Sequence, residues 1–114
     1  MAPWLIGRAV TAPATVRALA ATAPARHLEA ARLLGGDVGD VGLAEAGAAL
    51  ATTVATLMRA IAAPADLRAV GYAAADVPAL VAATLPQRRL LDNAPTPVTA
   101  PLLAELFHAA LGAA

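Results

Sequence analysis

Apolar residues recur at alternating spacings of four and three between Leu43 and Ile61. Small residues, mostly alanine, fill the positions between them and would let other helices approach closely. This period is typical of one α-helix that turns a single side toward a hydrophobic core. The pattern predicts a central helix over residues 43–61, with Leu50 and Leu57 among its most buried residues. The members of the stripe are Leu43, Gly47, Leu50, Val54, Leu57 and Ile61.

Two shorter helices are predicted before this central helix. The first has Pro13 in its opening turn and Thr11 as its cap, and runs to about residue 22. The second opens at Pro24 and ends at Gly35-Gly36, because glycine readily adopts the left-handed conformation that closes a helix. The residues predicted to share one face of the second helix are His27, Leu28, Ala31 and Leu34.

Prolines and glycines divide the remaining half of the chain. A short helix over residues 65–70 is predicted to stop at Gly71, and the next, over residues 74–85, tolerates Pro78 in its first turn. A connector formed by Arg88-Arg89 and the proline-punctuated residues 92–98 leads to a last helix that Thr99 caps and Gly112 ends. The apolar face of this last helix consists of Leu102, Leu103, Leu106, Phe107, Ala110 and Leu111.

No stretch of the sequence signals a β-strand. The predicted fold class is therefore all-α, a compact bundle of about five to six helices in one domain over residues 1–114. Hydrophobic residues make up 60% of the chain but aromatic residues only 3%, so little apolar area is buried per residue and the core should be thin. We expect Trp4 and Tyr72 to anchor it.

Charge and hydropathy exclude several classes of partner. Eight basic and eight acidic residues give a net charge of +0, so the chain has no electrostatic footprint for nucleic acid or an anionic membrane. The uncharged run from Ala46 to Met58 is too short for a membrane span, which needs about 20 apolar residues. No targeting segment is evident, and the predicted location is cytoplasmic.

The residues that could carry chemistry are few. The chain has two histidines, His27 and His108, in different predicted helices, and no cysteine, so metal binding has little support. A local pair between Glu105 and His108 is predicted on the last helix. Glu29 is likewise expected to pair with a neighbouring arginine, either Arg26 or Arg32.

Five further charged positions have a structural and a functional interpretation. Asp66, Asp76 and Asp92 stand at predicted helix starts or turns, where a carboxylate meets unpaired backbone N–H groups. Arg88-Arg89 could contact a phosphate, but a basic pair beside a hydrophobic helix is more often solvated or ion-paired. We therefore predict capping for the aspartates and solvation or ion pairing for the arginines.

Several separated motifs resemble one protein family. The central one is Asp66-Leu67-Arg68-Ala69-Val70-Gly71-Tyr72, followed by Asp76-Val77-Pro78-Ala79-Leu80-Val81 and Thr84-Leu85-Pro86-Gln87-Arg88-Arg89. Arg26-His27-Leu28-Glu29 with Leu33-Leu34-Gly35-Gly36-Asp37, and Ala94-Pro95 with residues 99–107, support it. Their order and spacing resemble the C-terminal part of iron-dependent alcohol dehydrogenases, in particular the hydroxyacid-oxoacid transhydrogenase branch. The resemblance implies the helical domain of the dehydroquinate synthase-like fold.

The resemblance also implies what this sequence lacks. Members of the family bind a nicotinamide dinucleotide in an N-terminal α/β domain and hold iron or zinc with one aspartate and three histidines. An ungapped alignment of Thr11-Ala12-Pro13 with the family's Thr-Ser-Pro places a metal histidine on Trp4, whose indole cannot ligate a cation. We therefore assign no catalytic, cofactor-binding or metal-binding residue and no cofactor to this chain, and expect the dinucleotide-binding domain to be absent.

Two hypotheses of different classes remain open. In the first, the chain is a piece of such a dehydrogenase that is catalytically silent alone. In the second, it is a freestanding helical module that binds a protein partner. The implied partners are a separate dinucleotide-binding chain or a second copy, and a small alanine-rich core predicts that the isolated chain is marginally stable or self-associates.

Overall fold

The computed structural model describes the backbone of residues 3–112 and the side chains of residues 10–112. Within that part the chain is helical without a strand, and its radius of gyration of 14.2 Å is close to the roughly 13 Å of a compact domain of this length. The predicted all-α fold is confirmed. The α-helices are α1 (Pro3–Leu19), α2 (Pro24–Leu33), α3 (Ala46–Ala60), α4 (Val77–Thr84), α5 (Arg88–Leu91) and α6 (Ala100–Ala110).

Helix α1 joins the two halves of the fold. It packs against α3 on one side and against α6 on the other, while α2 packs on α3 and α4 packs on α6. The main contacts therefore run in the order α2, α3, α1, α6, α4. Helix α3 is a central helix, as predicted, but α1 holds the bridging position.

The predicted start of the first helix at Pro13 is wrong. Helix α1 begins at Pro3, so Pro13 lies in its interior, and the helix ends at Leu19 before a 3₁₀ turn over Ala20–Thr22. An interior proline removes one backbone hydrogen bond and costs about 3 kcal/mol. Packing of α1 against both α3 and α6 offsets that cost, which local sequence signals do not show.

The predicted helix ends are mostly confirmed. Gly35, Gly71 and Gly112 have φ values of +92°, +100° and +79°, the left-handed conformation that glycine adopts readily. Thr99 Oγ1 accepts a hydrogen bond from the Leu102 backbone N–H at 3.3 Å, so it caps α6 as predicted. The connector before it contains α5, a short helix that the sequence pattern does not predict.

The contact between α1 and α3 depends on Gly47. A Cβ atom at this position would lie 2.8 Å from the Arg17 carbonyl oxygen and 3.0 Å from the Ala20 Cβ. The two backbones therefore meet at the end of α1 and the start of α3. Ala20, Ala31 and Ala46 are all buried in this half of the fold. The core here is thin, as the composition predicts.

A second cluster of larger side chains fills the other half. Leu67 and Val77 lie against the end of α6, and Phe107 packs against them. The Leu67 backbone N–H donates to the Ala110 carbonyl at 2.9 Å, which ties the turn before α4 to the last helix. The buried members of this cluster are Val10, Leu67, Val77, Ala110 and Leu111.

The buried side of α3 differs from the predicted stripe. Leu50 is buried, at 6% exposed, but Leu57 is 43% exposed, so that part of the prediction is wrong. Leu43 and Ile61 are also exposed. The close approach to α1 needs small residues, so the glycine and alanine side of α3 turns inward. The buried residues of α3 are Ala46, Gly47, Leu50, Ala51, Thr53 and Met58.

The predicted aromatic anchors have different outcomes. Tyr72 is 41% exposed and does not anchor the core, because it follows the left-handed Gly71 that ends the turn before α4. The side chain of Trp4 lies outside the described residues. Phe107 packs against the second cluster instead.

Two leucines of one helix provide a test of this packing. Leu50→Ala should lower the free energy of unfolding by about 2–5 kcal/mol, because it removes a buried side chain. Leu57→Ala should cost less than about 1 kcal/mol in the isolated chain, because that side chain is partly in water. Urea unfolding followed by circular dichroism measures both. Equal losses would contradict the orientation of α3.

Candidate functional site

The two histidines lie on α2 and α6, which α3 and α1 separate in the fold. His27 is half-buried on α2, and its Nδ1 donates to the Ala23 carbonyl at 2.8 Å. His108 is exposed on α6, on the other side of α3 and α1. Among residues 10–112, no three His, Asp or Glu side chains come together in a way that could hold a metal ion.

Two of the three aspartates accept hydrogen bonds from backbone N–H groups. Asp66 Oδ1 accepts from the Ala69 N–H at 2.9 Å, and Asp76 Oδ2 accepts from the Ala73 N–H at 2.8 Å, so capping is confirmed at both. The prediction for Asp92 is wrong, since this residue follows α5 and pairs with an arginine instead. Each of these carboxylates therefore has a structural role in its local contacts.

The predicted helix-surface pairs are partly confirmed. Glu29 pairs with Arg32, one of its two expected partners. Glu105 and His108 form no ion pair in the described structure, so that prediction is wrong. Exposed pairs contribute at most about 1 kcal/mol, which does not hold two solvated side chains in one geometry.

Arg88 forms hydrogen bonds that link two parts of the connector between α4 and α6. One guanidinium nitrogen donates to Asp92 Oδ1 at 3.1 Å and another donates to the Val98 carbonyl at 3.1 Å. The predicted ion pairing is confirmed, and the bond to Val98 adds a link across ten residues. Arg89 makes no side-chain hydrogen bond or ion pair within residues 10–112.

An open groove lies between α3 and the segment that follows α2. We call it the α3 groove, and its volume is about 540 Å³. Glycines at the end of α2 form one wall, and the exposed side of α3 forms the other. The side chains that line it include Leu34, Asp37, Glu45, Thr52, Thr56 and Leu57.

The floor of the groove is closely packed. Gly36 lies against the Thr53 side chain, and a Cβ atom at this position would collide with Thr53 Oγ1. Thr53 Oγ1 donates to the Ala49 carbonyl and Thr56 Oγ1 donates to the Thr52 carbonyl, both at 2.9 Å. These hydroxyl donors are satisfied within α3, so the floor of the groove offers mainly apolar contacts, and the carboxylates of Asp37 and Glu45 are the charged groups in its lining.

The comparisons with known proteins agree with the resemblance seen in the sequence. Residues 5–111 match the Fe-containing alcohol dehydrogenase family, C-terminal. The chain belongs to this family. Hydroxyacid-oxoacid transhydrogenases, named as mitochondrial, are 39% identical to it in Pongo abelii and in Homo sapiens, over 97% of this chain and 24% of each relative. A probable hydroxyacid-oxoacid transhydrogenase of Dictyostelium discoideum is 35% identical over 86% of this chain and 18% of its own length.

The chain spans about a quarter of the length of the curated relatives that it matches. It is the C-terminal domain of a member of this family related to hydroxyacid-oxoacid transhydrogenase, and its described part consists of helices and loops without a strand. None of the described helices is both long and apolar enough to cross a membrane.

Sequence reasoning missed the α3 groove. The periodic stripe predicts burial of Leu57, whereas the signal for an exposed apolar face is the uncharged run from Ala46 to Met58. A helix exposed on one side normally carries charges there. The absence of charge on every side of this run indicates that its exposed face is suited to contact with protein.

The link made by Arg88 can be tested with its neighbour as the control. Arg88→Ala should lower the free energy of unfolding by about 1 kcal/mol, because it removes a bond to a backbone carbonyl along with an exposed ion pair. Arg89→Ala should change it by less than about 0.5 kcal/mol. Urea denaturation compares the two. An equal effect would show that the connector does not depend on Arg88.

Proposed function

We propose that this chain works as the C-terminal helical domain of a hydroxyacid-oxoacid transhydrogenase-like oxidoreductase, and that these 114 residues have no activity by themselves. The observation that carries the proposal is the match over residues 5–111 together with 39% identity to transhydrogenases over 97% of the chain. The match covers a quarter of those proteins, so the chemistry requires the remainder of the family's fold.

The residues present do not fit the family's metal. A zinc site typically needs four ligands at about 2.0–2.2 Å, and a catalytic one needs three from protein. His27 already uses Nδ1 for the Ala23 carbonyl, and α1 and α3 lie between its helix and that of His108. These two side chains therefore do not supply a ligand set for the family's metal.

The purified chain should contain no stoichiometric iron or zinc and show no nicotinamide-dependent turnover. Elemental analysis after dialysis tests the first part. Absorbance of the reduced nicotinamide, with a hydroxyacid donor and an oxoacid acceptor, tests the second. One metal ion per chain, or turnover that a chelator abolishes, would contradict the proposal.

A graft tests whether the chain is a competent domain. The region of the human transhydrogenase that corresponds to residues 5–111 is replaced by these residues of this chain, so that the human protein keeps its own residue at the position of Trp4, and transhydrogenase activity is measured. We expect the graft to keep activity within about tenfold of the human protein, because the core of the domain is intact. The same graft with Leu50→Ala is the destabilised control. A well-folded but inactive wild-type graft would count against the proposal.

The exposed leucines favour a second candidate function. A freestanding helical module without enzymatic activity would use Leu34 and Leu57 to bind a protein partner. Such a module would be stable and monodisperse alone, and its graft would not support activity. Cytoplasmic location stays a prediction, since the relatives' names place those proteins in mitochondria.

A further inference from the structure

We propose that the α3 groove is the docking site for an apolar helix with a basic end, supplied by the part of the family's fold that lies outside the matched quarter. This inference rests on the proposed function and names the surface through which the domain would join the remainder.

The apolar character of the groove is the first argument. Leu34 is 46% exposed and Leu57 is 43% exposed, and both line the same depression. The exposed face of α3 between them consists of alanine and threonine, and the Thr56 hydroxyl donates to its own helix. A surface of this kind gains free energy when another apolar surface excludes water from it.

The dimensions of the groove suit a helix. Its α3 wall runs from Glu45 to Leu57, which at 1.5 Å per residue is roughly 18 Å. Helices that bind in grooves use anchors at positions i, i+4 and i+7, which span about 10 Å. Two turns of such a helix therefore fit along α3.

Charge indicates which kind of helix fits. The loop before α3 carries Asp37, Asp40 and Glu45 and no basic residue, and Asp37 and Glu45 line the groove. All three carboxylates are exposed at this end. A helix whose basic residues lie at the same end would meet them with opposite charge, which favours one orientation of docking.

Charge disfavours a second copy only in one orientation. In a two-fold symmetric contact through the groove, each copy presents the same surface to the other. The acidic ends come together if the α3 helices are parallel, whereas in an antiparallel contact each acidic end faces the other copy's Arg59, which donates to Thr56 Oγ1 at 3.2 Å. The family relationship supplies a better source, because about three quarters of each relative lies outside the region that this chain matches.

Thiol labelling in the graft described above tests the inference. The chain has no cysteine, so Leu57→Cys introduces a unique site in it, and Ala82→Cys on the exposed surface of α4 is the matched control. Labelling is followed by mass spectrometry of the relevant peptide, both in the isolated chain and in the graft. We expect position 57 to react at least about tenfold more slowly in the graft, and position 82 to change less than about twofold.

Charge-reversed variants test the predicted basic end of the docked helix. Asp37→Lys with Glu45→Lys in the graft should speed labelling at position 57 at least about threefold, because the basic end of the docked helix is then repelled. Glu29→Lys, on the outer surface of α2, should leave the rate unchanged. Equal effects of the two changes would overturn the charge assignment.

Each of the remaining outcomes would overturn at least one of the two proposals. An active graft in which position 57 stays as reactive as in the isolated chain would overturn the groove inference and leave the proposed function standing. Slowing of the reaction with concentration in the isolated chain would show that a second copy covers the groove, and would also overturn it. A graft that does not fold would count against both proposals.

Discussion

The backbone contact at Gly47 is the constraint on which the arrangement of helices depends. With no side chain at this position, the start of α3 lies directly against the Arg17 carbonyl at the end of α1. A larger residue would push the two helices apart and uncover the buried alanines around them. Helix α1 also carries the contact with α6, so the position of the second cluster relative to α3 follows from the same approach.

Close packing of small side chains explains how a core that buries little apolar area per residue can still be well packed. Small side chains bury little apolar area each, but they allow many backbone atoms to come into van der Waals contact. No buried side-chain nitrogen or oxygen among residues 10–112 lacks a hydrogen-bond partner. The larger side chains, including Leu67 and Leu111, are concentrated in the other half, where α1, α4 and α6 meet.

Local sequence signals predict where helices end better than they predict how the helices pack. Gly35, Gly71 and Thr99 act through their own backbone or side-chain geometry, so their roles are visible in a short stretch of sequence. The interior position of Pro13 and the rotation of α3 depend on contacts between distant residues. Periodicity shows that a helix has an apolar side, but it does not show which of two uncharged sides meets a neighbour. The α3 groove was missed for that reason.

The disagreement over Leu57 bears on the proposed docking. The periodic pattern assigns this residue to a buried face, while the described residues leave it 43% exposed. Under the proposed function, the sequence pattern reflects burial in the family's whole fold, and this chain spans about a quarter of the length of the relatives. If the remainder of the family's fold covers the α3 groove, the sequence pattern and the structure agree. In that case α3 turns its glycine and alanine side to α1 and the side that carries Leu57 to the docked helix. Such a helix needs apolar residues on two sides, and the uncharged run from Ala46 to Met58 provides them.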